Sequence, residues 1–304
     1  MKRVSVKVPA SSANLGSGFD CLGVALGLYH TLTVEEDRGN GFEIRVSGEG
    51  EHTLAVDESN ATYKAMADVF DLTGYSPGRL VIESVNEIPV SAGLGSSAAS
   101  VLAGMAAALL LSHQEMDRNQ LMRLAVGVEG HPDNVAAALF GSFAVVCQSE
   151  AELKHISMPI SPSLAATVVH PDFAVSTDES REALPDVVSF THAIHNVSRV
   201  ALLVAALATD RPELIQSAMQ DRLHQPHRAR LVPGLESVCR AAVDVGGHGA
   251  ALSGSGPSVM AFVRQGDHAP GAAMQAAWAQ QGVSARVFDL PIDRAGLQFE
   301  SDMQ

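Results

Sequence analysis

The chain has 304 residues, 46% of them hydrophobic and 18% charged, and its 20 Lys+Arg against 34 Asp+Glu leave a net charge of −14. That apolar fraction excludes a disordered chain, and at roughly 150 residues per domain the length accommodates about two cores. The acidic balance argues against nucleic acid or an anionic membrane as partner, because both require a basic surface, so an anionic ligand has to be held by a local device.

In chain order, residues 4–8 alternate apolar and polar side chains directly after Met1-Lys2-Arg3. This is the pattern of a strand and not of a signal peptide. Strands are also predicted at 25–34, 42–46 and 80–85, with Arg38-Gly39-Asn40-Gly41 as a hairpin turn. Helical patterns occupy 61–72, 96–111, 119–128 and 132–140, and 143–147 reads as a strand. The pattern loosens over 149–162, where Pro159 and Pro162 fall close together, and a soft boundary is placed there. Beyond it come a strand at 165–170, helices at 190–208, 212–222 and 235–245, strands flanking 253–257, a helix at 269–281 and a strand at 285–290. This irregular mixture predicts an α+β fold rather than a doubly wound parallel sheet, with domains at 1–155 and 156–304.

The longest apolar run, 98–111, is shorter than the ~20 residues of a membrane span. Cys21, Cys147 and Cys239 are odd in number, widely spaced and without a CxxC pair. A disulfide framework is therefore not expected, and a soluble protein of the reducing cytoplasm is.

Three loops carry the chemistry. Pro89-Val90-Ser91-Ala92-Gly93-Leu94-Gly95-Ser96-Ser97-Ala98 combines two glycines with two hydroxyls at the start of an Ala/Leu-rich helix. The free N–H groups and positive end of such a helix suit phosphate, although a plain Gly turn with a Ser cap has the same local features. It is not a P-loop, because the chain's four lysines (Lys2, Lys7, Lys64, Lys154) all lie outside glycine-rich loops. Gly93-x-Gly95-x-x-Ala98 also lacks the acidic strand end ~20 residues on that a dinucleotide site needs. The second loop, Ser253-Gly254-Ser255-Gly256-Pro257, is either a tight strand connection or part of a site. In the third, Pro9 to Gly23, Asn14 and Asp20 are short polar side chains suited to a ligand or to Asx turns.

In order and spacing these three segments resemble the signature motifs of the galactokinase, homoserine kinase, mevalonate kinase and phosphomevalonate kinase (GHMP) superfamily. The segment Pro9 to Gly23 is most similar to its homoserine kinase branch. The resemblance spans essentially the whole chain. It implies a two-domain GHMP-kinase-like fold: an N-terminal domain like ribosomal protein S5 domain 2, with a left-handed β-α-β crossover, and a C-terminal ferredoxin-like α/β sandwich. It implies ATP in the cleft between them, held by Asn60, by the loop from Pro89 through Val90, Ser91, Ala92, Gly93, Leu94, Gly95, Ser96 and Ser97 to Ala98, and by Gly254 and Gly256.

The resemblance also implies phosphorylation of L-homoserine. Arg181 and Arg228, with Thr177 nearby, would clamp its carboxylate, Asp20 its ammonium and Asn14 its hydroxyl end; His131 and Asp133 would line the pocket. Arginine suits such a clamp because its planar fork pairs bidentately. Mg²⁺ requires hard oxygen ligands; Ser97 is the hydroxyl candidate and Glu129 the carboxylate. The place two helical turns earlier, where some relatives carry that Glu, lies near Arg123. Asp133 matches an aspartate that mevalonate kinases use as base, whereas homoserine kinases are thought to pass the hydroxyl proton directly to phosphate. The pairs His192/His195 and His224/His227 have i, i+3 spacing but no third ligand for a metal. Partners expected are ATP and the small substrate, with no nucleic acid or membrane, and a homodimer as the one assembly considered. Two alternatives stay open: a superfamily kinase for another small alcohol, and a nucleotide-binding regulator without catalysis.

Overall fold

In the computed structural model, which describes residues 2–149 and 152–303, β1 (Lys2–Ala13) and β2 (Leu22–Asp37) form a long antiparallel pair. The alternation read in the sequence turns Val4, Val6 and Val8 inward, where none is exposed. β3 (Phe42–Gly48) leads into α1 (Ala61–Thr73), and β4 (Arg79–Asn86) then runs parallel to β3 and antiparallel to β2. The hairpin expected at 38–41 does not form, because β4 lies between β2 and β3. Leu80 and Ile82 explain the order: the strand carrying both buried residues takes the position paired on two sides, and β3, where only Ile44 is buried, takes the edge.

α2 (Ser96–Leu111) is apolar nearly all round and packs against α1, β1 and β2. A helix of that composition has to be buried. α3 (Arg118–Glu129) and α4 (Asp133–Phe140) pack beside it, and β5 (Phe143–Gln148) and β6 (Leu153–Met158) extend the sheet from the start of β2.

A second sheet begins with β7 (Leu164–Pro171), followed by α5 (Thr177–Glu182) and α6 (Phe190–Ala208). The helix expected over 212–222 breaks into a 3-10 turn at Pro212–Leu214 and a single turn, α7 (Ile215–Ala218). The Asp221 carboxylate supplies a competing acceptor for the N–H groups of Leu223, His224 and Gln225, which draws the chain into a loop and then into α8 (Gln225–Arg228). α9 (Leu235–Asp244), β8 (Gly249–Leu252), β9 (Val259–Arg264), α10 (Ala269–Ala279) and β10 (Ala285–Pro291) complete it. The order β10-β7-β9-β8 is wholly antiparallel, with α9 and α10 packed on it around buried Val238, Met274 and Trp278, the arrangement of a ferredoxin-like sandwich. β11 (Gln298–Met303), absent from the sequence reading, returns to the first sheet and pairs with β1.

By length and composition α6 is apolar enough to cross a bilayer, which the sequence reading had not picked out. One side of it packs on the fold, where buried Asn196 is hydrogen-bonded to Asp221 and to the Ser17 carbonyl and Leu203, Ala206 and Leu207 are buried, while Phe190, Ile194 and Val197 are exposed.

Candidate active site

The three loops meet. A cavity of about 570 Å³ is lined by Val90 to Ser97, Asn14, Asp20, Glu129, His131, Asp133, Thr177, Arg181, Arg228, Gly254 and Ser255. Another, of about 610 Å³, lies behind α8 and contains none of these residues.

α2 starts in this cavity at Gly95 with no side-chain cap and no acidic residue in its first turn. α1, α3, α5 and α6 are capped by Asn60, Asp117, Ser176 and Ser189, while α4, α9 and α10, like α2, have no side-chain cap; of these four, α2 is the one whose first turn lines the cavity with neither a cap nor an acidic residue. The first N–H groups of α2 and its positive end are thus presented to the cleft. Gly93 and Gly95 serve packing more than ligand approach. A Cβ on Gly93 would lie 2.2 Å from the Ser253 carbonyl oxygen, and one on Gly95 2.2 Å from Ser11 Oγ; both have left-handed φ, +74° and +68°. Ser253 Oγ closes the contact by donating to the Gly93 carbonyl at 2.6 Å.

Beside the helix start, Ser97 Oγ donates to Glu129 Oε1 at 2.6 Å. A hydroxyl and a carboxylate converge beside the start of α2, a hard-oxygen donor set that fits a magnesium ion keeping its other positions for phosphate and water. Among the described residues no group of three or more His, Cys, Asp or Glu side chains forms a fuller metal centre, and the histidine pairs gain no third ligand.

On the far side, Asp20 and Arg181 form a bidentate ion pair, with both N···O distances 3.0 Å. Expected at opposite ends of a substrate, these groups neutralise each other here, and the carboxylate holds the Arg181 guanidinium above its ordinary pKa. Arg228 is 2% exposed. Its Nε donates to the Ser180 carbonyl at 3.2 Å and its Nη1 to the Gly254 carbonyl at 3.1 Å, while Nη2 has no protein partner among the described residues. Burial, reinforced by the charge of Arg181, lowers its pKa to about 10. An arginine sealed in this way and short of a counter-charge favours an anionic ligand.

Asn14 holds the site together: its Nδ2 donates to the Gly254 carbonyl at 2.9 Å and its Oδ1 accepts from Asp20 N–H at 3.0 Å. Asp133, 2% exposed, opens α4 and lies 3.6 Å from His131 Nδ1, which raises the pKa of the imidazole. Thr177 Oγ1 reaches Ser255 Oγ at 3.4 Å.

Four expected residues stand back from the cavity. Asn60 caps α1 through Oδ1 and donates to the Ala55 carbonyl, so its neighbours Leu54 and Ala61 line the cleft instead. Pro89 and Ala98 are buried behind the loop, and Gly256 packs against Gly93. The sequence reading missed Asn134, which accepts from Ser11 Oγ at 2.9 Å, and the group Phe19, Asp221 and His224 beneath the arginines. Phe19 adjoins Asp20 in the loop already singled out; nothing in the sequence ties Asp221 or His224 to it.

Comparison with known proteins shows the family. Residues 60–142 match the GHMP kinases N terminal domain and 203–284 the GHMP kinases C terminal domain. The chain is 39% identical over 296 residues to a homoserine kinase of Desulfitobacterium hafniense, covering 96% of this chain and 98% of that one. It is 43% identical over 260 residues to one of Caldicellulosiruptor saccharolyticus, covering 86% and 84%. A crystal structure of homoserine kinase from Cytophaga hutchinsonii superposes with a TM-score of 0.88 at 30% identity, over 98% of this chain and 97% of that one. A mevalonate kinase structure shares the fold at 14% identity and a TM-score of 0.68. With its fold and these likenesses over nearly the whole chain, the protein belongs to the homoserine kinase family of the GHMP kinases.

Proposed function

We propose that the cleft transfers the terminal phosphoryl group of ATP to the side-chain hydroxyl of L-homoserine, giving O-phospho-L-homoserine, a step toward threonine, in a reducing cytoplasm. The observation that carries this reading is the bare N-terminus of α2 opening into the same cavity as buried Arg228. A phosphate site and a carboxylate site within one cavity match the two ends of this reaction.

In this reading the N–H groups at the start of α2 receive the phosphates, and Leu54, Ala61 and Val90 give the base an apolar wall. Ser97 and Glu129 would hold Mg²⁺, which neutralises phosphate charge as it moves to the leaving oxygen. Arg228 Nη2 and Arg181 take the carboxylate. Asp20 turns from Arg181 to the ammonium, and Asn14 keeps the loop closed around the hydroxyl end. An O–P bond forms as the bond from phosphorus to the leaving oxygen breaks, and the hydroxyl proton goes to Asp133. Residues 1–155 then form the nucleotide unit and 156–304 the unit carrying both arginines.

A coupled assay of ADP release with homoserine, mevalonate, galactose and shikimate tests the reading. Homoserine alone should support turnover; comparable rates with mevalonate or galactose would replace it with a kinase for another alcohol. Ser97→Ala should lower kcat and raise the Mg²⁺ needed for half-maximal rate. Asp133→Asn should lower kcat by roughly a hundredfold or more, the usual worth of proton transfer to a positioned group.

A further inference from the structure

Phe19 and His224 lie beneath the substrate arginines and make a continuous stack with them. The Phe19 ring stacks on the His224 imidazole with centroids 5.0 Å apart and planes inclined by 24°. The same ring lies 5.2 Å from the Arg228 guanidinium carbon and 5.8 Å from that of Arg181. One aromatic side chain therefore serves both cations, and in a partly desolvated site that attraction is substantial.

His224 is wholly buried. Its Nε2 lies 2.8 Å from the Gly16 carbonyl oxygen, which can only accept, so Nε2 carries a hydrogen. Burial lowers the pKa of the ring, and in the neutral tautomer Nδ1 is left as an acceptor, 3.4 Å from Arg228 Nη1. Asp221, also fully enclosed, accepts from the backbone N–H of His224 and from Asn196 Nδ2, which anchors the imidazole from behind. Each contact restrains the guanidinium or the loop Gly16 to Asp20 without touching the cavity that receives the acceptor.

We propose that Phe19 and His224 are positioning residues for substrate recognition: their stack orients Arg181 and Arg228 so that both forks face the substrate carboxylate. The proposal rests on homoserine being the acceptor. It gives this pair a share in specificity for the substrate carboxylate and none in ammonium or nucleotide binding.

The test compares native protein with Phe19→Leu, His224→Leu and His224→Asn, measuring KM for homoserine and for ATP. It also measures the inhibition constant of 3-aminopropan-1-ol, which keeps the ammonium and hydroxyl and lacks the carboxylate. Phe19→Leu and His224→Leu should each raise the homoserine KM about tenfold or more. The ATP KM and the aminopropanol constant should stay within about twofold, since neither ligand uses the arginine forks. His224→Asn, whose Oδ1 can replace the Nδ1 acceptor, should recover part of the loss. Equal weakening of homoserine and aminopropanol, or an unmoved homoserine KM, would overturn the proposal. So would loss of the folded far-ultraviolet spectrum in both Leu variants, which would make the stack a piece of core. Native protein that does not phosphorylate homoserine refutes the functional reading instead, so the two failures are told apart.

Discussion

Arg228 is nearly sealed from water, and two of its nitrogens are already committed to the carbonyls of Ser180 and Gly254. Truncating it removes a buried cation that carbonyl dipoles alone do not neutralise, and removes half of the proposed clamp. Arg228→Ala should raise the homoserine KM on the order of a hundredfold, as expected for a charged hydrogen bond lost in a desolvated site, with the ATP KM nearly unchanged. Steady-state kinetics with each substrate varied in turn checks this, and equal effects on the two constants would remove Arg228 from the clamp. The residue types proposed for the site came from the family resemblance, and charge chemistry makes them a sensible complement, arginine for a carboxylate and aspartate for an ammonium. That Asp20 and Arg181 neutralise each other was not legible in the sequence: 161 positions separate them, and only the meeting of the loop after β1 with α5 brings their charges within 3.0 Å.

The loop before α2 and the loop between β8 and β9 form one unit at the level of elements. Gly93 has its left-handed φ where the Ser253 carbonyl oxygen would meet a Cβ at 2.2 Å. Gly93→Ala therefore adds backbone strain and a contact with main chain that has no side-chain freedom to yield. It should cost about 2–4 kcal/mol of stability and weaken both substrates together, since it pushes the loop before α2 away from Ser253 and so disturbs the adjacent Gly254 carbonyl that holds Arg228. Denaturant unfolding beside substrate titration reads both effects; a stable variant impaired for ATP alone would contradict the linkage. The sequence marked both loops by their glycines. It left a tight turn and a ligand site both open, because a run of small residues does not say which backbone comes close, another loop or a phosphate.

At the scale of the whole molecule, His30 on β2 is the buried group that couples the first sheet to acid. Its ring nitrogens meet Ser84 on β4 and Ser100 on α2, each at 3.1 Å, and burial lowers its pKa from 6.5 to about 4. The unfolded chain binds this proton at higher pH than the folded one. Stability is therefore full above pH 6.5 and falls as pH drops toward 4, by on the order of 3 kcal/mol from this group. Urea unfolding across that range should show the fall, and His30→Gln should flatten it; an unchanged slope would assign the acid sensitivity elsewhere.

Local pattern was enough for the α+β class and for most elements, because periodicity acts within a few residues: the buried helix α2, the strand β1 and the glycine-rich turn between Val90 and Ser97 all follow from neighbours in the chain, whereas the absence of a side-chain cap on α2 is seen only in the structure. The insertion of β4 between β2 and β3, the return of β11 to β1 and the burial of His224 under Phe19 depend on which distant surfaces exclude water together. Such choices are made by packing across the whole fold, and no window of adjacent residues records them.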